Sequence, residues 1–182
     1  MDIPEHNQDD LSPNSLRLMP MVRRDVEEQQ FKDAMSRLAF SIAVVTTQAR
    51  HGPIGRTVTS FMPLSAVPAQ IMISVHAESR LAGIISYLGT FSISFLASGQ
   101  EEVGDAFAGK RPAAERFNIG QWRNWPSGNP KLLDAALCLD CSVVGFVESG
   151  EHLLFVGSIV GLEGSEDYRA MVWHERSYRP ID

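Results

Sequence analysis

The feature that most constrains this fold is a series of short runs of β-branched and aromatic residues between positions 40 and 173. The connections between these runs hold few helical patterns, whereas a doubly wound parallel sheet needs a helix of about 10–15 residues between successive strands. The pattern therefore predicts a mainly β protein, a closed or nearly closed antiparallel β-barrel with flanking helices. The predicted strands are Phe40–Thr47, Ile54–Phe61, Gln70–His76, Thr90–Leu96, Leu137–Val147, Leu153–Leu162 and Tyr168–Trp173.

Three helices are predicted beside these strands. The first covers residues 25–38, with Asp25 as its N-cap and an apolar stripe of Phe31, Ala34, Met35 and Leu38 at helical spacing. The second covers residues 80–88, starts after the capping residue Ser79 and ends at Gly89. The third covers residues 99–107. Residues 63–68 and 109–131 are predicted to be loops.

Composition limits the class of protein. The chain has 182 residues, a formal net charge of −6 and a pI of about 5.3, which argues against a nucleic-acid-binding protein because phosphate contacts need a basic surface. No run of 18 apolar residues suggests a membrane span, and two cysteines do not form a disulfide framework. We expect a cytoplasmic protein with a mobile N-terminal arm, residues 1–24, and one domain, residues 25–182.

Two familiar motifs are present in incomplete form. Residues 104–111 nearly match a phosphate-binding loop, but Arg111 replaces the hydroxyl residue that such a loop needs for Mg²⁺. Cys138 and Cys141 form a CxxC pair without a second pair at zinc spacing, and on a strand the two would point to opposite faces. The histidines also lack the spacing of metal ligands. The sequence therefore predicts no metal site.

A polar cluster remains. Thr57, Thr59 and Ser60 lie on one predicted strand, and Ser79 and Arg80 lie at the start of a helix. Hydroxyls beside a helix N-terminus and an arginine are typical of a site for a phosphate-bearing ligand. The residue types alone leave a second interpretation open, in which the hydroxyls fill a half-exposed strand and Ser79 is simply a helix cap.

The order and spacing of segments over about residues 30–180 carry a resemblance. These segments are FKDAM, SIAVVTT, GRTVTSF, LSAVPAQIMISV, HAES, GTFSISFLA, FAGK, ERF, CSV, EHLLFVGSIV and YRP. In this order they resemble the flavin reductase family, small flavin:NAD(P)H oxidoreductases with an FMN-binding split barrel. The resemblance implies hydride transfer from NADH or NADPH to FMN, with FAD as an alternative. It also implies a homodimer and, as a possible partner, a flavin-dependent monooxygenase.

The resemblance also implies a set of site residues, carried over by position. His152 would be the catalytic residue, approaching the nicotinamide and the flavin edge. Residues expected to bind the flavin are Thr57, Val58, Thr59, Ser60, Ser65, His76, Ser79, Arg80, Phe107, Ala108 and Tyr178. Flavin and nicotinamide perform the hydride step themselves, so the absence of a protein nucleophile or an acid–base pair does not argue against an enzyme.

Some positions depart from the family pattern. Arg56 stands where a small or apolar residue is usual, Val67-Pro68-Ala69 replaces Asp-Pro-Pro, and His76 replaces an asparagine. Two other functions therefore stay open at this point. One is a flavoprotein that keeps FMN bound and reduces another acceptor, such as a corrinoid or a metal complex. The other is a flavin-binding module without catalytic activity.

Overall fold

The computed structural model describes residues 25–181, so the predicted mobile arm lies outside the described residues. Its helices are α1 (Glu28–Ser36), α2 (Arg80–Leu88) and α3 (Glu101–Asp105), and α3 continues into a π-helical segment (Ala106–Lys110) and then a 3₁₀ helix (Ala113–Asn118). The strands are β1 (Phe40–Ser41), β2 (Ala43–Ala49), β3 (Gly52–Val58), β4 (Phe61–Ala66), β5 (Ala69–His76), β6 (Thr90–Phe95), β7 (Trp122–Asn124), β8 (Pro130–Leu132), β9 (Leu137–Ser149), β10 (His152–Gly164), β11 (Met171–His174) and β12 (Ser177–Pro180).

The main sheet has seven antiparallel strands in the order β3-β2-β6-β9-β10-β5-β4. This confirms the mainly β prediction. The sheet is not closed into a barrel, because β3 and β4 are its two edges, and this arrangement fits a split barrel. The two edge strands are consecutive in the chain, so the link between them crosses from one edge of the sheet to the other. At the end of this link the Ser74 N–H of β5 donates to the Ser60 carbonyl at 2.9 Å. The smaller sheets are β1-β11-β12 and β7-β8.

Both faces of this sheet carry a hydrophobic core. Val45, Ile73 and Phe155 lie in one cluster, which α2 covers, while Val44 and Phe107 lie in the second cluster, on the side of α3 and β11. Strand β2 alternates between the two clusters because successive side chains point to opposite faces of a strand. Burial of each such side chain contributes about 1.5–3 kcal/mol of stability.

The two cysteines follow the same alternation. Cys138 belongs to the second cluster and Cys141 to the first, and both are free thiols. Burial, helped by the neighbouring Asp140 carboxylate, raises the pKa of Cys141 to about 12. The prediction of two buried, unlinked cysteines is therefore confirmed, and Cys141 is not poised as a nucleophile.

Several predicted boundaries are wrong. The first helix starts at Glu28 rather than Asp25, and its N-cap is Glu27, whose side chain makes no capping bond. Residues 63–66 of the predicted loop 63–68 belong to strand β4, and an edge strand tolerates Pro63 because one of its sides needs no hydrogen-bond donor. The predicted loop 109–131 holds the 3₁₀ helix, strand β7 and the start of β8, and strand β12 was not predicted either. Among residues 25–181, no helix is long and apolar enough to cross a membrane.

A glycine in β10 marks the tightest packing inside the first cluster. A Cβ atom at Gly157 would lie 2.6 Å from Cζ of Phe91 and 2.9 Å from Cβ of Cys141, and both neighbours are fully buried. We predict that Gly157→Ala lowers the free energy of unfolding by about 1–3 kcal/mol, measured by urea denaturation, because the core must shift to admit the methyl group.

The matched control is Gly145→Ala in the neighbouring strand β9, where a Cβ atom would meet nothing within 4 Å. This variant is expected to change stability by less than about 0.5 kcal/mol. Equal effects of the two substitutions would contradict the packing argument.

Candidate functional site

The site is built around the edge strand β3. Within the described chain, β3 pairs only with β2, so its other edge leaves a row of backbone groups available to a ligand. Thr57, Val58 and Thr59 lie on or just after this strand and line one cavity. Ala108 and Tyr178, two more of the predicted residues, line the same cavity. The structure therefore brings five predicted residues together.

A hydrogen-bond network supports this cavity. The Tyr178 hydroxyl donates to Asp105 Oδ1 at 2.8 Å, and Lys110 Nζ lies 2.9 Å from Asp105 Oδ2. The Thr57 hydroxyl donates to the carbonyl of Gly104 at 2.7 Å. A Cβ atom at Gly104 would lie 2.7 Å from the tyrosine oxygen, so this close approach requires glycine. The network joins β3, α3 and β12 around one opening.

The network also determines which groups carry charge. Partial burial works against ionisation of Asp105, but hydrogen bonds from Lys110 and Tyr178 outweigh it and hold the pKa of this carboxyl below its usual value. Burial, together with the hydrogen bond to Asp105, raises the pKa of the Tyr178 hydroxyl well above its usual value. Tyr178 therefore stays neutral, and its proton is committed to Asp105 rather than to a ligand.

A second cavity lies between β3, the start of α2 and the 3₁₀ helix. It is lined by the predicted residues Ser79 and Arg80, and also by Arg56 and Arg116. The Ser79 hydroxyl accepts the Ala82 N–H at 3.1 Å, which confirms the predicted helix cap. The cavity is cationic, because three guanidinium groups line it.

The two predicted histidines face each other at one end of the sheet. His76 on β5 and His152 on β10 are directly opposite in the antiparallel register, and their ring centroids are 5.6 Å apart in an edge-to-face arrangement. Both side chains are exposed, and Glu151 Oε2 lies 4.0 Å from His76 Nε2. The Ser79 N–H donates to the His76 carbonyl at 3.0 Å, which connects the histidine pair to the arginine-lined cavity.

Three predicted residues have other contacts. The Ser60 hydroxyl donates to the Ser74 carbonyl at 2.9 Å, and the Ser65 hydroxyl accepts the Val67 N–H at 3.2 Å. The expectation that Phe107 closes over a ligand needs correction, because its side chain is fully buried in the second core cluster. Phe107 supports β3 from behind, and the neighbouring Ala108 faces the cavity.

Other residues of the two cavities were not predicted as site residues. They include Asp105, Lys110, Trp173 and Arg116. Two of them belong to segments that the sequence analysis singled out: Lys110 to the incomplete phosphate-loop motif, and Arg116 to the ERF segment. Trp173 lies far away in the sequence, and only strand pairing between β1, β11 and β12 brings it to the cavity.

Comparison with known proteins agrees with this geometry. Residues 35–182 match the model of the flavin reductase like domain. The chain belongs to this family. The resemblance predicted from the sequence is thereby confirmed, and the family match includes both cavities and the histidine pair.

Similar proteins carry related names. The FMN reductase (NADH) RutF of Methylorubrum extorquens is 31% identical over 156 residues, which cover 86% of this chain and 76% of the relative. The NADH:FAD oxidoreductase SgcE6 of Streptomyces globisporus has a similar structure, with a TM-score of 0.80 and 25% identity over 90% of this chain and 99% of that one. BorF, the flavin reductase component of a bacterial two-component tryptophan halogenase, has a TM-score of 0.78 and 25% identity over 85% of this chain and 98% of its own.

The Asp105 network leads to a pH-dependent prediction. Because the folded-state pKa of Asp105 is depressed, its stabilising effect is present above the unfolded-state pKa of about 3.8 and is lost as pH falls through the folded value. We predict that Asp105→Asn lowers the free energy of unfolding at pH 7 by about 1 kcal/mol. The difference from the unmodified protein should shrink at acidic pH, as measured by denaturation between pH 7 and pH 3.

Asp167→Asn is the control, because Asp167 is an exposed residue of the segment between β10 and β11. It should leave stability nearly unchanged at each pH. A cost of Asp105→Asn that stays constant down to pH 3 would contradict the assignment of an ionised, hydrogen-bonded Asp105.

Proposed function

We propose that this protein is a flavin reductase that transfers a hydride from NADH to FMN. The observation that carries the proposal is the pair of cavities along β3, one lined by hydroxyls and the other by guanidinium groups, in a member of the flavin reductase like domain family. A flavin mononucleotide has the matching halves, a planar ring and an anionic phosphate. The similarity of this chain to a relative named FMN reductase (NADH) supports this assignment.

The residues of the first cavity suit the ring. Thr57, Val58 and Thr59 present an edge strand whose free N–H groups can donate to the carbonyl edge of an isoalloxazine, and Tyr178 and Ala108 form the facing wall. Fixed donors at this edge stabilise the negative charge that the ring gains on reduction. The flavin, when bound, supplies the redox chemistry by accepting the hydride.

The second cavity suits the phosphate end. Arg80 and the other guanidinium groups give it positive charge, and Ser79 holds the start of α2 in place through its capping bond. His152 has an exposed imidazole beside His76, so it can donate a hydrogen bond to the carboxamide of the nicotinamide and orient its face toward the ring. In this proposal His152 contacts the nicotinamide, while His76 lies beside it and the residues that line the two cavities hold the flavin.

The cofactor and partner proposals are broader. FAD is an alternative flavin, since the similar structure SgcE6 is named an NADH:FAD oxidoreductase, and NADPH is an alternative nucleotide. A flavin-dependent monooxygenase or halogenase is the proposed acceptor of the reduced flavin, because the similar structure BorF is the reductase component of such a pair. A cytoplasmic location stays a prediction from the sequence.

A homodimer is proposed from exposed apolar surface. The apolar stripe that begins in α1 is largely exposed: Phe31 is 54% and Leu38 is 48% accessible. On the main sheet, Val160 and Leu162 of β10 are 63% and 68% accessible. Apolar patches of this kind on a folded chain mark an interaction surface.

Activity with added flavin tests the proposal. Purified protein is expected to oxidise NADH rapidly when FMN is present and not without it, as measured by loss of absorbance at the nicotinamide band. A protein that stays yellow after extensive dialysis and reduces a different acceptor would support a bound prosthetic flavin instead. Flavin binding without oxidation of NADH or NADPH above the rate in free solution would contradict the reductase assignment.

His152→Ala is expected to slow flavin reduction by about 10-fold or more while changing flavin affinity less, because it removes a contact to the nicotinamide. Stopped-flow reduction and flavin titration measure the two effects separately. The control is His51→Ala in the exposed turn between β2 and β3, which should change neither. Unchanged reduction kinetics in His152→Ala would remove this residue from the catalytic role.

Light scattering after size exclusion tests the dimer. One chain has a mass of 20.1 kDa, so the dimer is expected at about twice this mass. The double variant Val160→Lys, Leu162→Lys should shift the protein toward the monomer, because two buried ammonium groups would destabilise an apolar interface. Elution of the unmodified protein as a monomer at micromolar concentration would contradict the proposed homodimer.

A further inference from the structure

Two histidines from different parts of the chain form a pair at one end of the main sheet. His76 is the last residue of β5 and His152 is the first residue of β10, and they are directly opposite each other in the antiparallel register. Residues in this relation hold their Cβ atoms about 4.5–5.5 Å apart. The two side chains can therefore reach the same point, although the residues are far apart in the sequence.

The separation of the two rings is close to the one that a shared metal ion requires. Zinc binds an imidazole nitrogen at about 2.0–2.1 Å, so two imidazoles on one tetrahedral ion hold their ring centroids roughly 5.2 Å apart. The centroids of His76 and His152 lie 5.6 Å apart, with an angle of 70° between the ring planes. Both side chains are exposed, so their rings can rotate to direct one nitrogen each at the same ion.

The ring nitrogens of the pair are available as ligands. The nearby carboxylate oxygen, Glu151 Oε2, lies 4.0 Å from His76 Nε2, which is too long for a hydrogen bond. Among residues 25–181, no hydrogen bond occupies a ring nitrogen of either histidine. The negative charge of Glu151 favours a cation at this position without blocking the nitrogens.

The histidine pair provides two ligands and leaves the other coordination positions open. In the part of the chain that the structure describes, no group of three or more His, Cys, Asp or Glu side chains is placed to hold a metal ion. Water can complete the coordination of zinc where the protein provides fewer than four ligands. Imidazoles suit zinc, copper and nickel, whereas magnesium and calcium prefer oxygen ligands. We therefore expect reversible binding of a transition metal rather than a structural metal site.

We propose that His76 and His152 together bind a divalent transition metal ion, such as Zn²⁺, and that the bound ion inhibits the protein. The ion would lie at the imidazole of His152, the group that is proposed to contact the nicotinamide, so the metal and the nicotinamide exclude each other. The inhibitory effect rests on the proposed reductase function, whereas the metal site rests only on the geometry of the pair. His76 replaces the asparagine of the family pattern, so the pair is a feature of the present chain.

Calorimetric titration with Zn²⁺ tests the site without flavin or nucleotide. The full chain without a polyhistidine tag is expected to bind one Zn²⁺ that depends on both histidines. His76→Asn and His152→Ala should each weaken this binding about 10-fold or more, because loss of even an indirect partner of a metal ligand costs about 10- to 100-fold in affinity. Both residues are exposed, so neither substitution removes a core contact. Equal affinity of the unmodified protein and His76→Asn for Zn²⁺ would overturn the proposal.

His174→Asn is the matched control. Nδ1 of His174 also lies 4.0 Å from a carboxylate oxygen, that of Glu175, but the residue opposite His174 in the strand register is Ser177 rather than a histidine. This variant should bind Zn²⁺ as the unmodified protein does. If it weakens the binding as much as His76→Asn does, one histidine beside a carboxylate is sufficient, and the paired site is overturned.

NADH oxidation with added FMN tests the inhibition, and each variant is compared with its own rate in the absence of metal. Zn²⁺ should raise the KM for NADH in the unmodified protein, because metal and nicotinamide compete, and EDTA should restore it. His76→Asn should need a Zn²⁺ concentration about 10-fold or more higher for the same inhibition. The same Zn²⁺ concentration for half-inhibition in both proteins, or bound Zn²⁺ without inhibition, would overturn the inhibitory role.

The two measurements keep the metal site and the reductase function apart. Zinc binding that depends on both histidines, in a protein that does not oxidise NADH, would remove the reductase function and leave the metal site. Normal NADH oxidation, together with zinc binding that does not depend on His76, would overturn the metal site alone.

Discussion

The close packing of Phe107 against Gly55 is the contact on which the rest of the site depends. A Cβ atom at Gly55 would lie 2.8 Å from the Phe107 ring, so only glycine lets the ring reach the strand. Phe107 also packs edge-on against Phe117 and beside Trp122, with centroid distances of 4.9 and 5.2 Å. This aromatic cluster holds the helical segment 101–118 against β3, and both cavities form where that segment meets the strand.

The polar contacts of the segment follow from this packing. With Phe107 buried, the Gly104 carbonyl comes within hydrogen-bond distance of Thr57, and Asp105 turns toward Tyr178 and Lys110. The chain then leaves the π-helical segment through Gly109, at a φ of 109° that favours glycine, and enters the 3₁₀ helix that holds Arg116. One buried ring therefore places hydroxyls on one side of β3 and an arginine on the other.

The charges divide in the same way. Around the first cavity, Asp105 is balanced by Lys110 and by the tyrosine hydroxyl, so this cavity is nearly neutral, and apolar side chains such as Val58 and Trp173 form much of its wall. Around the second cavity, the arginines have no carboxylate partner among residues 25–181. A ligand with an uncharged ring and an anionic end is complementary to both cavities, which is why the geometry and the family membership point to the same class of cofactor.

Local patterns in the sequence were sufficient for much of the fold. Runs of β-branched and aromatic residues predicted most strands of the main sheet, and Ser79 with Gly89 located both ends of α2, because strand propensity and helix caps depend on neighbouring residues. The order of the segments also identified the family. Helical periodicity identified the apolar stripe of α1 but not what covers it, and in the described chain this stripe is largely exposed.

Tertiary structure decided the rest. Phe107 looked like a ligand contact in the sequence, yet its ring is core, since burial depends on the distant Gly55 and Phe117. Trp173 and Tyr178 reach the first cavity only through the pairing of β11 and β12, and Arg116 reaches the second only because the 3₁₀ helix folds back on β3. The sequence by itself determined most strands of the main sheet, both ends of α2 and the family. Which side chains share a cavity was determined by long-range packing, whose partners lie tens of residues apart and leave no local signal.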